Sequence, residues 1–328
     1  GGNECGPFHS VESPALGKLN HSNHMNKSGF HCNCIATLAL LAMSALLAGA
    51  QTNSTSDMDP SFVKTNGEYV TIGSITVKTN SPLNTDKFKH FMWREQQLMQ
   101  IANSRSPGAI DKFVAGSWSL IKDYPDEESG YQNIMMAIED FDFQADETKA
   151  RALANELAVT SAPEKYKLWA NGFLHRIDSR SKPVSIKFTA VDGREVDLSK
   201  MRGKVILVDF WGTHCGPCIA EMPRIKAAWQ KFHEQGFEVI GISCDTSKKD
   251  LEEYVTKHDI PWPQFFDGKQ QEENRFTVEF GIDGIPHMFL VGKEGDLRFD
   301  NVRARDEVHA KGDAISFEDK ISQLLDEN

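Results

Sequence analysis

The hydrophobic and polar positions divide the chain into a helical part and a part of alternating character. Between residues 85 and 178, apolar residues recur at three- and four-residue spacing, which is the period of an amphipathic helix. Turn signals rich in proline and glycine interrupt this pattern. The pattern predicts five consecutive helices: 86–103, 109–122, 129–141, 146–159 and 164–177. Four aromatic residues among them (Trp93, Trp118, Tyr131 and Trp169) are expected in a core, with a peptide-binding groove as the alternative.

Beyond residue 183, short apolar runs alternate with helical periods, which is typical of an α/β sheet. The charged stretch 303–314 breaks this pattern and predicts a surface loop. The runs predict five strands, at 185–190, 204–211, 237–243, 287–291 and 297–300. The helical periods between them predict four helices, at 216–235, 247–258, 271–279 and 316–326.

Two stretches flank the helical part. Residues 51–85 are rich in Thr, Ser and Asn and carry short β-like runs on either side of Gly73, so we expect a loose leader or a small hairpin. The polar stretch Ser179–Pro183 has the composition of a linker. We therefore predict a mainly helical domain over 51–180, whose role the pattern leaves open, and an α/β domain over 183–326.

A targeting signal is predicted near the N-terminus. Met25, Asn26 and Lys27 precede an apolar stretch, 35–50, that ends in the small-x-small pattern of a signal-peptidase site. Its 16 residues are fewer than the roughly 20 that a membrane span needs. We interpret 25–50 as a cleaved signal peptide, in preference to a retained membrane anchor, and 1–24 as an upstream segment outside the native mature sequence. The chain is then exported, and the periplasm is its expected location.

Charge and cysteine content limit the functions that the chain can have. A formal charge of −11 argues against a nucleic-acid partner. Removal of residues 1–50 leaves three cysteines, Cys215, Cys218 and Cys244, too few for a disulfide scaffold. One reactive pair and one spare thiol fit this number. Cys244 ends an apolar run, so we expect it to be a small buried hydrophobic residue.

The pair Cys215 and Cys218 follows the apolar run Lys204–Trp211 and opens an amphipathic helix. A thiol at a helix N-terminus lies near the positive end of the helix dipole, which stabilises its thiolate. The same spacing occurs in zinc sites, but those normally need four ligands, and no second CxxC or HxxxH follows. We therefore predict thiol–disulfide exchange at this pair and no metal site.

Several motifs show that residues 183–326 resemble the thioredoxin superfamily. The run Val208–Trp211 and then Cys215-Gly216-Pro217-Cys218 follow its active-site pattern, and Pro223 matches its helix-kinking proline. The segment Phe280–Pro286 resembles the one that carries the family's cis-proline. The implied fold is α/β, a thioredoxin-like central sheet with flanking helices, here preceded by the mainly helical N-terminal domain.

Within that superfamily, the chain is most similar to the TlpA/ResA-type exported thiol–disulfide oxidoreductases. Glu221-Met222-Pro223 after the cysteines, the segment Phe188–Leu198 and the predicted signal peptide all fit this group. The resemblance does not extend to residues 51–180. It implies a protein that reduces disulfides in exported client proteins, with apocytochrome c as one candidate client. It also implies a membrane electron donor that reduces the cysteine pair again. No cofactor is expected beyond the redox-active disulfide Cys215–Cys218.

The resemblance also implies the roles of the reacting residues. Cys215 is the exposed nucleophile that forms a mixed disulfide, and Cys218 then resolves it. Asp209 occupies the position of the family's buried acid. A carboxylate in an apolar strand has a raised pKa and can accept the proton of Cys218. The alternative for Asp209 is a surface charge at a strand end.

Five residues are expected to bind the client. Ile285 and Pro286 would present backbone groups to an extended peptide. Trp211, Gly216 and Pro217 are expected to shape an apolar rim around the cysteines.

Three polar residues are candidates for tuning the redox pair, and for His214 and His287 the alternative is a tolerated polar neighbour with no essential role. His214 replaces the tryptophan common before the first cysteine, and His287 replaces the usual threonine after the cis-proline. A protonated imidazole would stabilise a nearby thiolate. Glu221 is either a second proton acceptor or a solvent-facing charge.

Two other functions remain as alternatives. A thiol peroxidase would need threonine three residues before its cysteine, whereas Thr213 lies two residues before Cys215. A Cu(I) chaperone would gather soft ligands from the cysteine pair and His214 or His287, but copper-delivery relatives space their cysteines differently.

Overall fold

A computed structural model describes residues 58–104, 106–304 and 315–327. The predicted signal peptide 25–50 and the upstream segment 1–24 lie outside these residues, as does most of the predicted loop 303–314. Within the described ranges, no helix combines the length and the apolar character needed to cross a membrane.

A small antiparallel sheet opens the described chain. Strand β1 (Val63–Thr65) pairs with β2 (Tyr69–Ile72), which pairs with β3 (Ile75–Lys78). Gly73, at φ +58°, supplies the left-handed conformation that the tight turn between β2 and β3 requires. The hairpin that the sequence predicts is therefore present, and β1 extends it by one strand.

The five predicted helices are confirmed, with ends that differ by two residues at most. Side-chain caps fix two of their starts, since Thr85 accepts a hydrogen bond from the amide of Phe88 and Asp146 from that of Lys149. Each helix packs on the next around one apolar core. They are α1 (Asp86–Asn103), α2 (Ala109–Asp123), α3 (Ser129–Phe143), α4 (Glu147–Val159) and α5 (Glu164–Asp178).

A mixed sheet forms the centre of the C-terminal part. A short hairpin, β4 (Lys187–Thr189) and β5 (Glu195–Asp197), precedes it. The sheet has the strand order β10-β9-β6-β7-β8, in which β6, β7 and β8 are parallel and β9 and β10 alternate in direction. Its strands are β6 (Val205–Trp211), β7 (Phe237–Ser243), β8 (Gln264–Phe265), β9 (His287–Val291) and β10 (Leu297–Phe299).

Side-chain alternation along β6 gives the sheet two apolar faces. Leu207 and Trp211 pack in one cluster with the side chains of α6 (Gly216–Phe232), while Val208 and Phe210 pack on the other face with the β4–β5 hairpin. Three further helices flank the sheet: α7 (Lys248–Lys257), α8 (Arg275–Phe280) and α9 (Phe317–Asp326). The predicted central sheet with flanking helices, preceded by a helical region, is confirmed.

The predicted linker 179–183 runs along the edge of this sheet. The carbonyl of Ser179 accepts a hydrogen bond from the amide of Leu297 at 2.7 Å, and the amide of Val184 donates to Gly295 at 2.7 Å. Just before it, α5 packs against α8. The helical region and the sheet therefore share contacts on both sides of this segment.

Candidate active site

Cys215 and Cys218 form a disulfide at the start of α6, with their Cα atoms 5.3 Å apart. Cys215 is the N-cap residue of the helix, and its Sγ accepts a hydrogen bond from the amide of Cys218 at 3.2 Å. In the reduced protein, the same amide and the positive end of the helix dipole would face the sulfur of Cys215. Both stabilise a thiolate there.

The two sulfurs differ in accessibility. Cys215 is 8% exposed and Cys218 is 2% exposed. Gly216 and Pro217 are exposed beside them. The expectation that Cys215 is exposed is therefore wrong for this oxidised pair, in which Cys215 is largely buried and only slightly more accessible than Cys218.

Trp211 does not lie on the rim where the sequence places it. Its side chain is fully buried, with its indole N–H donating to Oε1 of Gln264 at 2.9 Å and its ring against Tyr254. The expectation of a surface contact is wrong because Trp211 is the last residue of a strand covered on both faces. It supports the active site from beneath.

Asp209 lies inside the molecule below the disulfide. It is 2% exposed and projects from the same face of β6 as Leu207 and Trp211, which pack with Cys218. Burial raises the pKa of Asp209 to about 8, the negative charge of Glu221 adds to the rise, and Arg303 opposes it. The alternative of a surface charge is thus wrong, and Asp209 can take up and release a proton near neutral pH.

Glu221 is also buried, at 1% exposure, one helical turn beyond Cys218. Its Oε2 accepts a hydrogen bond from the amide of Ala304 at 2.7 Å. The neighbouring Arg303 donates to the carbonyl of Pro286. Glu221 is therefore no solvent-facing charge, and residues 303–304 join α6 to the segment before β9.

His214 lies on the surface next to Cys215, with 61% of its side chain exposed. Its Nδ1 is 3.3 Å from Oδ1 of Asp245. That oxygen also accepts hydrogen bonds from the amide and hydroxyl of Thr213, at 2.9 and 2.7 Å. Asp245 thus holds the turn before the cysteines and orients the imidazole beside them.

Ile285 and Pro286 lie just before β9. The peptide bond between them is cis, as the resemblance implies. Ile285 packs against the apolar cluster that contains Cys215 and Cys218. Its position therefore places this segment beside the disulfide.

His287 follows that peptide bond but is directed to the other face of the sheet. It shares a face of β9 with Phe289, away from Met288, which packs with the cysteines. Its Nε2 is 2.8 Å from Oδ1 of Asp300. Any influence of His287 on the cysteines is therefore exerted through the backbone of β9.

Four residues of the site's surroundings were not singled out from the sequence: Arg176, Asp245, Asp300 and Arg303. Each acts through a partner that is distant along the chain, so no local motif marks it. One signal was available for Arg176. It continues the buried stripe of α5 formed by Trp169 and Phe173, where a charged residue is unusual.

Two further features of the described residues concern metal ligands and the spare thiol Cys244. Across these ranges, no group of three or more His, Cys, Asp or Glu side chains could hold a metal ion. Cys244 is free and fully buried, as predicted. Burial and the nearby charge of Asp245 raise the pKa of the Cys244 thiol, which keeps it in its unreactive form.

Comparisons with known proteins agree with this geometry. Residues 181–300 match the AhpC/TSA family. The thiol-disulfide oxidoreductase ResA of Halalkalibacterium halodurans is 27% identical over 143 residues, which are 43% of this chain and 79% of that protein. The ResA protein of Bacillus thuringiensis is 29% identical over 109 residues, covering 33% of this chain and 61% of that protein.

A solved structure is also similar. The thioredoxin domain of a thiol-disulfide oxidoreductase from Bacteroides vulgatus is 28% identical, covers 38% of this chain and 88% of its own, and has a TM-score of 0.34. The curated sequence matches confirm the resemblance of the C-terminal part to ResA-type proteins.

Proposed function

We propose that this chain, a ResA-like thiol–disulfide oxidoreductase with a thioredoxin fold, reduces disulfides in exported proteins. The observation that carries the proposal is the disulfide Cys215–Cys218 at the N-terminus of α6, with Asp209 buried beneath it. The more accessible sulfur is placed to meet a client, and the buried carboxyl is placed to handle the proton of the less accessible one.

The first step uses the reduced pair. The thiolate of Cys215 attacks one sulfur of a client disulfide, so that a Cys215–client bond forms and the client's other sulfur leaves as a thiolate. The amide of Cys218 and the helix dipole stabilise the attacking thiolate. Gly216, Pro217 and the segment Ile285–Pro286 line the approach.

The second step releases the client. Cys218 transfers its proton to Asp209 and attacks Sγ of Cys215, which closes the Cys215–Cys218 disulfide and expels the second client sulfur as a thiolate. The client has then gained two electrons, and the cysteine pair has lost them. A pKa of about 8 lets Asp209 accept this proton and return it when the pair is reduced again.

The location and the partners form part of the same proposal. Residues 25–50 have the pattern of a cleaved signal peptide, which supports export to the periplasm. The sequence carries no dinucleotide-binding GxGxxG motif, so a membrane electron donor would supply the electrons. Because the matched relatives are ResA proteins, apocytochrome c is a candidate client, and the experiment below addresses reduction itself.

Insulin reduction tests the proposal, with dithiothreitol as the electron source. The wild-type protein should accelerate insulin reduction, and Cys215→Ser should abolish the acceleration. Cys218→Ser should trap a mixed disulfide, while Cys244→Ser should behave as wild type because Cys244 is buried away from the reaction. Peroxide consumption that outpaces insulin reduction would favour the thiol peroxidase, and stoichiometric Cu(I) retention would favour the chaperone.

A further inference from the structure

The helical region touches the client-binding segment through two glycines. Gly172 in α5 lies against Gly281, the residue that ends α8 and begins the segment 281–287. A Cβ atom on Gly172 would collide with backbone atoms of Gly281 and Val278. Gly281 itself has φ +59°, and a Cβ there would strike the backbone of α5. The two backbones are therefore in direct contact, and this spacing depends on both glycines.

Arg176, one helical turn further along α5, adds polar contacts at the same point. Its side chain is 1% exposed. Its Nη1 donates to the carbonyls of Phe280 and Gly281, at 3.1 and 2.9 Å, and its Nη2 donates to Glu139 at 2.7 Å. The guanidinium thus fixes the start of the segment to the helical region.

The same guanidinium also reaches the end of the segment. Nε of Arg176 is 3.0 Å from Oδ2 of Asp300, and the other oxygen of Asp300 is 2.8 Å from Nε2 of His287. Burial alone would raise the pKa of Asp300, but Arg176 and the hydrogen bond from His287 lower it well below its usual range. Asp300 is therefore a carboxylate, and Nε2 of His287 donates to it. His287 is the last residue of the segment.

Arg176 thus contacts the start of 281–287 directly and its end through Asp300, and Ile285 in its middle packs against the apolar cluster that contains the redox cysteines. We propose that Arg176 is a positioning residue, through which the helical region holds segment 281–287 in the geometry that receives the client's backbone. The inference rests on the proposed function, because it assigns the segment's purpose to client binding. It gives the helical region a part in the reaction.

Arginine suits this task, and lysine does not. The planar guanidinium presents five donors in a fixed fork. Here it donates hydrogen bonds to two carbonyls and to Glu139, and it forms an ion pair with Asp300. The ammonium of lysine keeps the positive charge that Asp300 needs but cannot reach all four partners. Arg176→Lys therefore loosens the segment while avoiding the large cost of an unpaired buried carboxylate.

The test compares two perturbations of different kind with matched controls. Arg176→Lys replaces the planar guanidinium with an ammonium group, and Gly172→Ala places a methyl group against Gly281. Arg151→Lys is the control for the first, because Arg151 pairs with Glu147 and Asp178 and forms no ion pair or hydrogen bond with the segment among the described residues. Gly130→Ala is the control for the second, since its methyl group would meet the side chain of Ile121 within the helical region.

Two substrates separate client positioning from sulfur chemistry. With insulin, both test variants should lose about tenfold to a hundredfold in kcat/KM, mainly through KM, since misplacement by about 1 Å has effects of this size. With the small disulfide 5,5′-dithiobis(2-nitrobenzoic acid), which makes no use of the segment, their rates should equal the wild-type rate. The reduction potential should also be unchanged, and both controls should match wild type throughout.

Amide hydrogen exchange measures how firmly segment 281–287 is held in the absence of any client. Exchange in 281–287 should be faster in Arg176→Lys and Gly172→Ala than in their controls, with α6 unchanged. If Arg176→Lys does not fold, Gly172→Ala, which keeps every charge, decides the matter alone. Wild-type KM in a folded test variant, equal losses on both substrates, or unchanged exchange would each overturn the proposal. If the wild-type protein does not reduce insulin but hydrogen exchange in 281–287 is still faster in the test variants, the proposed function is wrong. The role of Arg176 in holding segment 281–287 would then still stand.

Discussion

After the two cysteines, Asp209 is the residue to which the proposed mechanism assigns the most important role. Its carboxyl is buried in β6, and its Oδ2 accepts no hydrogen bond from any described residue. Desolvation and the charge of Glu221 therefore act on it with little compensation, and they raise its pKa to about 8. If position 209 had only a structural role, an amide or an apolar side chain there would make the folded protein more stable than the buried carboxyl does.

Asp209→Asn tests the role of this carboxyl in the second step. Asparagine keeps the shape but cannot accept the proton of Cys218. We expect the resolution of the mixed disulfide to slow by about a hundredfold, within the range of general-base catalysis. Rapid-quench kinetics with insulin should show the mixed disulfide accumulating. Asp111→Asn, at an exposed ion pair in α2, is the control, and resolution at the wild-type rate in Asp209→Asn would contradict the assignment.

The same carboxyl makes stability depend on pH. The folded state holds the proton of Asp209 up to a pH of about 8, whereas the unfolded state loses it near the ordinary pKa of 3.8. This group's contribution is therefore full below pH 3.8 and is lost as the pH rises to about 8. Asp209→Asn should gain stability relative to wild type across that window, by roughly a few kcal/mol, and remain level above it. Urea unfolding from pH 4 to 9 measures the difference, and a constant difference would contradict the raised pKa.

Local patterns were sufficient to identify the reacting residues. Cys215, Cys218 and Asp209 lie within ten residues of one another, in a strand and the helix that follows it. Trp211 was misplaced because its apolar character fits a rim and a core equally well. Arg176 and Asp300 could not be paired, since 124 positions separate them and only the packing of α5 on α8 brings them together.

Helix α6 carries both cysteines, and Glu221 anchors it from within. The hydrogen bond from Ala304 satisfies Oε2 of Glu221, so residues 303–304 cross over the helix just beyond Cys218. Arg303, in the same short stretch, lowers the pKa of Asp209 while Glu221 raises it. Burial is the main cause of the raised pKa of Asp209, and the charges of Glu221 and Arg303 adjust it in opposite directions.

Glu221→Gln separates the influence of Glu221 on the pKa of Asp209 from that of Arg303. Glutamine keeps an oxygen that can accept from Ala304 but removes the negative charge that raises the pKa of Asp209. We expect the pH midpoint of the resolution step to move below that of the wild type, because the pKa of Asp209 falls. The midpoint is read from single-turnover rates between pH 5 and 9. Glu318→Gln, a surface pair partner of Lys231, should leave it in place, and an upward or absent shift in Glu221→Gln would contradict the account.

The longer elements could be predicted from periodicity, whereas of the short strands only some could: β4 and β10 lie within predicted strands, and β1, β5 and β8 do not. Helices α1 to α5 repeat an apolar stripe over 13 to 18 residues, which leaves little ambiguity. Strands β1, β5 and β8 have only two or three residues each, too few to show a period of two. Strand β8 exists because Gln264 and Phe265 complete the edge of the sheet beside β7, a tertiary reason with no local signal.

The helical region and the sheet are joined through buried contacts. Arg176 pairs with Asp300, and Gly172 lies against Gly281, so separating the two parts would expose a carboxylate and two packed backbones. Separation would thus give up these contacts and uncover surface that is buried in the folded protein. We therefore expect the two parts to unfold together.

Cooperative unfolding can be measured with two probes in the protein lacking residues 1–50. Far-UV circular dichroism follows the helices, most of which lie in α1 to α5. Alkylation of Cys244, which is fully buried in the sheet region, follows the other part. The two urea midpoints should coincide in wild type. Two separated midpoints would show that the helical region is an independent module, and they would remove the physical basis for its coupling to the active site.

The reduction potential of the Cys215–Cys218 pair tests the proposed reductase most directly. The protein lacking residues 1–50 is equilibrated in glutathione and dithiothreitol buffers, and the oxidised fraction is read after acid quenching and thiol alkylation. We predict a value near or below roughly −270 mV, the thioredoxin range, which requires an electron donor in an oxidising compartment. A value closer to roughly −120 mV, typical of a strong periplasmic oxidant, would contradict the reductase direction.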